Sequence, residues 1–242
     1  AGEEVERLEP ADEGWTIVTA DGELRARAVI VATGARFRSL GVPGEELLSG
    51  HGVSTCATCD GPLLAGGVAA VVGGGDSALQ EALTLAACVG RVVILQRGEG
   101  LDGQAAYRRR VAEQEGIEVR CRTVVEEIVG NETVRAVRVR DSAAVSVEEL
   151  EVAGVFPFVG LRPNGEPFRE HVAIDPDGAL VTDEKLRTSA PGVFAAGIVR
   201  SGAVGRAAAA GGEGAAAAIE ADAYLGATRA SSVAPGGSSR AT

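Results

Sequence analysis

Residues 68–78 read Val68-Ala69-Ala70-Val71-Val72-Gly73-Gly74-Gly75-Asp76-Ser77-Ala78. Five apolar residues in succession leave no face for water, the pattern of a short strand buried on both sides. The run stops at three glycines, and Ala78-Leu79-Gln80-Glu81-Ala82-Leu83-Thr84-Leu85-Ala86-Ala87 continues as a helix. Asp76 or Ser77 is placed to cap that helix, and Gly90 to stop it. Gly73-x-Gly75-x-x-Ala78 then has the spacing of a dinucleotide turn. The first glycine permits the bend, the second lets a pyrophosphate approach the backbone, and Ala78 lets the helix lie against the strand. The helix N-terminus adds N–H groups and partial positive charge. With Arg91-Val92-Val93-Ile94-Leu95 as the next strand, residues 68–95 predict a βαβ unit.

Outward from this unit, the pattern predicts a helix over Gln104 to Glu115, stopped at Gly116, and a strand over Ile117 to Cys121. Residues 123–152 alternate and read as an antiparallel meander, after which Val155 to Gly160 returns to a buried strand. Upstream, residues 14–32 read as β structure with an Asp21-Gly22 hairpin turn, and Ala28 to Ala32 is a fully buried strand ending in Thr33-Gly34. Glycine and proline near residues 36–45, and again at Pro163-Asn164-Gly165, mark two domain boundaries. Beyond them come an Asp175-Pro176-Asp177-Gly178 turn, a strand over Gly192 to Gly197 and an alanine-rich helix over Val204 to Leu225. The Ser/Gly/Pro/Ala-rich tail from Ser231 to Thr242 reads as disordered.

The 242 residues have room for one large or two modest cores, and the net charge of −11 argues against a nucleic-acid partner. No apolar run approaches the ~20 residues that span a bilayer. The N-terminus lacks the basic and apolar regions of a signal peptide. The chain contains no methionine, which suggests a fragment whose natural start lies upstream. These features make a reducing cytoplasm the expected compartment, where a CxxC is more often catalytic or metal-binding than a structural staple.

That CxxC is Cys56-Ala57-Thr58-Cys59, followed by Asp60-Gly61. As a redox pair, the first cysteine is exposed for exchange, the second resolves the mixed disulfide, and a nearby acid/base such as Asp60 manages protons. As half a zinc site, the pair needs two further ligands; Cys88 and Cys121 form no second CxxC, and the histidines are the isolated His51 and His171. As inert buried thiols, they sit oddly in a Thr/Asp/Gly-flanked segment. The ligand count favours redox work, with no metal expected. Cys88 and Cys121 read as ordinary buried thiols, His51 and His171 as loop or surface residues. Which nucleotide binds is read after the second strand of the βαβ unit, at Gln96-Arg97-Gly98-Glu99. Arg97 favours a 2′-phosphate, Glu99 opposes it, and the signal is split.

Cys56-Ala57-Thr58-Cys59-Asp60-Gly61 followed by Gly73 to Ala82, with Ala32-Thr33-Gly34 before and Pro191 to Gly197 after, resembles low-molecular-weight bacterial thioredoxin reductase. The likeness runs in unbroken order from about Trp15 to Leu225. It implies an α/β fold with a Rossmann-like NAD(P)-binding domain inserted into an incomplete FAD-binding domain. The expected pieces are 1–38 (FAD, first part), 39–160 (NAD(P) with the CxxC), 161–228 (FAD, second part) and a disordered 229–242. It implies that Cys59 faces the flavin, Cys56 attacks the protein substrate and Asp60 is the acid/base. Thr33, Gly34, Gly197 and Ala207 fall on flavin-side positions, and Gly73, Gly75 and Ser77 on the nicotinamide-nucleotide turn. Asp76 and Arg97 belong with that nucleotide site. The implied cofactors are FAD and NADP (or NAD), with a thioredoxin-like protein or small dithiol as partner and a homodimer as the assembly.

Three departures qualify the likeness. The family opens with a βαβ unit holding the FAD pyrophosphate, and this sequence starts after it. The family's His-Arg-Arg-x-x-x-Arg segment for the 2′-phosphate is here Gln96 to Asp102. Two lost charge-assisted contacts, at ~1.5–3 kcal/mol each, remove most of the discrimination for NADPH. The aspartate that holds the flavin ribityl chain is Ile198, with Arg200 and Arg206 as the cations that could compensate. The function expected is a flavin-dependent disulfide oxidoreductase of thioredoxin reductase type. The alternatives are an FAD-dependent thiol oxidase passing electrons from small dithiols to oxygen, and a non-catalytic dinucleotide-binding remnant.

Overall fold

A computed structural model describes residues 3–142 and 146–232. Its contacts divide the chain into two units, residues 1–36 with 162–242 and residues 37–161. The first unit begins with an antiparallel meander of Val5–Ala11 (β1), Gly14–Thr19 (β2) and Gly22–Ala26 (β3). β1 carries little sequence signal because Glu6, Arg7 and Glu9 surround Leu8, its one buried residue. The β2–β3 turn is Ala20-Asp21, one residue before the expected Asp21-Gly22, because Thr19 pairs with Gly22 and its Oγ1 donates to the Gly22 carbonyl. The strand expected to be fully buried is Val29–Val31 (β4), and it is not: Val31 is 2% exposed but Ile30 is 40% exposed. An apolar run implies two covered faces, whereas only the Val31 face of β4 is packed into the core and the Ile30 face is left partly open.

The second unit is built on the βαβ signal. After the short helix Ala57–Asp60 (α1) come strand Val68–Val72 (β5), helix Asp76–Leu85 (α2), strand Arg91–Leu95 (β6), helix Ala105–Glu113 (α3) and strand Ile117–Arg120 (β7). Thr123–Gly130 (β8), Val134–Asp141 (β9) and Val147–Glu151 (β10) form the expected meander, and Gly154–Pro157 (β11) returns to the parallel sheet. The order β11-β5-β6-β7 places β5 centrally, and alternation along it sorts two cores. Ala69 and Val71 face Ala78, Leu79, Ala82 and Leu85 of α2, whereas Ala70 and Val72 face Val125, Ile128, Val137 and Val139 of the meander. A strand covered on both sides needs apolar residues throughout, which is why 68–72 shows no polar alternation. α2 ends at Leu85, ahead of Gly90. Its N-cap is Gly75, with no side-chain cap, so neither Asp76 nor Ser77 caps it. The Asp76 carboxylate instead accepts from the Gln104 backbone and side-chain amides.

The chain then returns to the first unit. Val193–Ala195 (β12) runs parallel to β4, with Phe194 opposite Ile30. The final helix is Ala207–Ser232 (α4), starting three residues after Val204 and running past Leu225. Gly205, at φ 51°, breaks the helical backbone just before it. Residues 229–232 of the expected disordered tail are therefore helical, and the rest of that tail lies outside the described residues. Ala217, Ala221 and Tyr224 of α4 pack on Leu186 and Phe194. Near its start, Glu213 accepts from Arg200 and, at 2.7 Å, from the Gly197 amide. Arg200 and Glu213 are only 18% and 17% exposed.

Two outcomes follow from this packing. Phe156 is fully buried in the helix-side core of the second unit. Replacing it with alanine is expected to cost about 3–5 kcal/mol, read as a lowered urea midpoint by circular dichroism; an unchanged midpoint would contradict the packing. The Glu213 carboxyl is held below its usual range above all by the Arg200 hydrogen bond, with burial opposing and the Gly197 amide and Arg200 charge adding to the lowering. A folded-state value below the unfolded one stabilises fully above the unfolded pKa of about 4.3 and loses that contribution as pH falls through the folded value. Urea midpoints measured from pH 6 to pH 3 should therefore fall less steeply in Glu213→Gln than in the parent chain. Parallel slopes would refute the assignment.

Candidate active site

Cys56 and Cys59 are joined in a disulfide with Cα atoms 5.3 Å apart. One turn of helix makes this possible, since residues three apart on a turn lie on one face. Cys56 is the N-cap of α1, and its Sγ accepts the Cys59 amide at 3.2 Å. Its own amide donates to Ser54 Oγ at 3.0 Å. The exposures reverse the sequence expectation: Cys59 is the exposed cysteine and Cys56 is half-buried, because capping turns Sγ of Cys56 back over the helix. Half-buried Asp60 ends α1 and lines a cavity of about 960 Å³ together with Ser54, Thr55, Arg38, Glu45 and Pro157. Cys88 and Cys121 are half-buried rather than buried, and Cys88 Sγ donates to the Leu85 carbonyl at 3.3 Å. His51 is exposed, and the His171 ring meets Trp15 at a tilt of 54° with centroids 5.8 Å apart.

A second cavity, of about 560 Å³, lies over the carboxyl ends of β5, β6 and β11. Gly73, Gly75, Asp76, Ser77 and Arg97 all line it, so the nucleotide-site residues named from the sequence come together. The glycines have separate physical reasons. At Gly73, with φ 127°, a Cβ would lie 2.3 Å from the Phe158 carbonyl oxygen. At Gly74 it would lie 2.5 Å from Gln96 Nε2, and at Gly75 it would meet nothing within 4 Å. Gly73 is required by the protein's own backbone, a side chain at Gly74 would displace Gln96, and Gly75 leaves open backbone at the helix N-terminus. Ala78 is fully buried beneath the turn. The crevice beyond the strand ends of such a sheet, with a helix N-terminus at its edge, is where this architecture receives a dinucleotide, and the residues present fit one. Sequence reasoning missed Phe158 and Gly160, which close the cavity's far side. Their only signal was their position at the end of an apolar run.

The residues expected on the flavin side belong to the first unit. Gly34 and Gly197 follow the carboxyl ends of parallel β4 and β12, with φ of 69° and 76°. A Cβ at Gly34 would meet nothing within 4 Å, and at Gly197 only the Ala210 Cβ at 3.6 Å. Gly197, Ile198, Ala207 and Glu213 line a cavity of about 220 Å³ at the start of α4; Thr33 and Gly34 do not reach it. Thr33 is tied down instead, its Oγ1 donating to the Asn164 carbonyl and its own carbonyl accepting from Asn164 Nδ2. Of the four positions expected on the flavin side, Gly197 and Ala207 thus share a cavity with open backbone at Gly197, while Thr33 and Gly34 lie outside it. Arg200 does not compensate for Ile198, because Glu213 already engages it. Glu213 carries no motif and was not legible as a site residue.

The chain matches the model of the pyridine nucleotide-disulphide oxidoreductases over residues 2–214. It is 41% identical to thioredoxin reductase of Listeria innocua over 77% of this chain and 59% of that protein. The corresponding enzyme of Mycolicibacterium smegmatis is 40% identical over 87% of this chain and 68% of its own length. Among solved structures, Lactococcus lactis thioredoxin reductase superposes with a TM-score of 0.86 at 35% identity, covering 92% of this chain and 74% of that one. The chain thus spans about three fifths of the Listeria relative's length. With its disulfide at the head of α1 and its glycine turn after β5, the chain belongs to the pyridine nucleotide-disulphide oxidoreductase family, alongside the thioredoxin reductases.

Proposed function

We propose that this chain carries the redox centre of a flavin-dependent disulfide oxidoreductase of thioredoxin reductase type. It passes electrons from NAD(P)H through FAD and the Cys56–Cys59 disulfide to a dithiol/disulfide partner such as thioredoxin. The observation that carries this reading is the disulfide lying in the same unit as a glycine-turn nucleotide pocket. FAD, held at the backbone of Gly34 and Gly197 and at Ala207, would supply the electron pair that reduces the disulfide.

The chain's own residues do the rest. Two electrons and two protons convert Cys56–Cys59 to two thiols. The Cys59 amide that donates to Cys56 Sγ favours negative charge on that sulfur, which suits Cys56 as the attacking thiolate. Attack on the partner's disulfide forms a mixed disulfide and releases one partner thiolate. Cys59 then attacks Cys56 Sγ, re-forms the internal disulfide and frees the partner as a dithiol. Asp60, at the end of α1, is the proton donor and acceptor for these thiols. We place the protein in the cytoplasm as a homodimer. Among the described residues no helix is long and apolar enough to cross a membrane.

The test is the flavin spectrum of the FAD-loaded full-length protein under anaerobic conditions. Bleaching by a nicotinamide nucleotide is the expected result; bleaching only by a dithiol, with reoxidation in air, would instead make it a thiol oxidase. In the same protein, Cys59→Ser should trap a mixed disulfide between Cys56 and the partner, visible by mass spectrometry. Cys56→Ser should trap none at Cys59. Trapping at Cys59 would reverse the assigned roles.

A further inference from the structure

The loop after β6 carries an acid, Asp102, at the cavity that the glycine turn lines. Gln96, 5% exposed, donates from Nε2 to Asp102 Oδ2 at 2.7 Å and to the Gly100 carbonyl at 3.2 Å. The Asp102 and Gly103 amides in turn donate to the Gly74 carbonyl at 2.8 and 2.9 Å. The loop is pinned to the glycine turn from both sides, and Gly74 lacks the Cβ that would collide with the Gln96 amide. Gly74, Gln96, Arg97 and Asp102 all line the 560 Å³ cavity.

We propose that Asp102, held by Gln96, makes this pocket select a nicotinamide dinucleotide with a free 2′-hydroxyl, NADH, over its 2′-phosphorylated counterpart, NADPH. This rests on the reading of the cavity as the dinucleotide site. In that fold the adenine ribose sits beyond the end of the second strand, where an acid accepts from ribose hydroxyls and cations receive a 2′-phosphate. Gln96 occupies Oδ2 of Asp102, and Oδ1 remains to accept a ribose hydroxyl. A 2′-phosphate would bring nearly two negative charges against that carboxylate. Arg97 is exposed at the same cavity and supplies one cation, opposed by Asp102. Gln96, which follows β6, is neutral and already engaged with the loop. Asp102 and Arg97 are both exposed and both screened by salt, so what sets the acid apart is the buried Gln96 brace that fixes its position.

Isothermal titration calorimetry of the chain with NADH and NADPH tests this, as does the simpler pair 5′-AMP and 2′,5′-ADP, which differ only in the 2′-phosphate. The form without the 2′-phosphate should bind at least about tenfold more tightly in each pair, the like-charge penalty being moderated by exposure. Asp102→Asn keeps an acceptor for Gln96 and should narrow the difference. Asp102→Arg should invert it, with circular dichroism checking each variant's fold. Equal or tighter binding of the 2′-phosphorylated forms overturns the proposal, and so does a ratio unchanged in Asp102→Asn. If none of the four ligands binds, the dinucleotide reading of the cavity falls, and this assignment with it.

Discussion

At the end of β5 the backbone of Gly73 passes against the carbonyl of Phe158, which follows β11. A methyl group at Gly73 would sit 2.3 Å from that oxygen, well inside contact distance, so no side chain is tolerated while the two strand ends remain neighbours. That approach lets β11 pair with β5 up to Pro157 and Val72, and brings Phe158 and Gly160 opposite the glycine turn. The Phe158 ring then meets Phe37 edge-on at 5.7 Å, closing one side of the cavity. A crevice over parallel strand ends exists because two backbones there come as close as glycine allows. The first residues of α2, Asp76 and Ser77, line it as a consequence.

The same economy of short contacts governs the redox pair. α1 has only four residues, too few to be stable alone, and is fixed by what surrounds it. Ala57 is fully buried in the helix-side core, and the Gly61 backbone lies against Cys88. Cys56 caps the turn with its sulfur, so the atom assigned the nucleophilic role is also the atom that orders the helix.

In the first unit, polar order is internal. Glu213 takes the Gly197 amide and the Arg200 guanidinium, joining the loop after β12 to the start of α4. An ion pair this sheltered contributes less through net stability than through the geometry it enforces, since desolvation offsets much of the attraction. Here the enforced geometry is an open glycine backbone beside a small cavity. The carboxylate expected at position 198 is absent, and one from α4 reaches the neighbouring amide instead.

The sequence by itself determined the βαβ unit, the meander and the CxxC, because each is written in local chemistry. Unbroken apolar runs mark strands covered on both faces, glycine spacing marks a turn, and two cysteines one helical turn apart can close a ring. What lies between distant segments was not legible. Nothing local in Gln96 shows that its amide would hold Asp102 beneath Gly74, nor in Glu213 that it would reach back to Gly197. The apolar run at 28–32 marked a strand but not what covers each of its faces, so Ile30 is exposed where burial was expected. The exposures of Cys56 and Cys59 were likewise decided by capping geometry, which the spacing alone does not contain. Tertiary structure decided these points because hydrogen bonds and burial depend on which distant backbone arrives, and periodicity records only that some partner is needed.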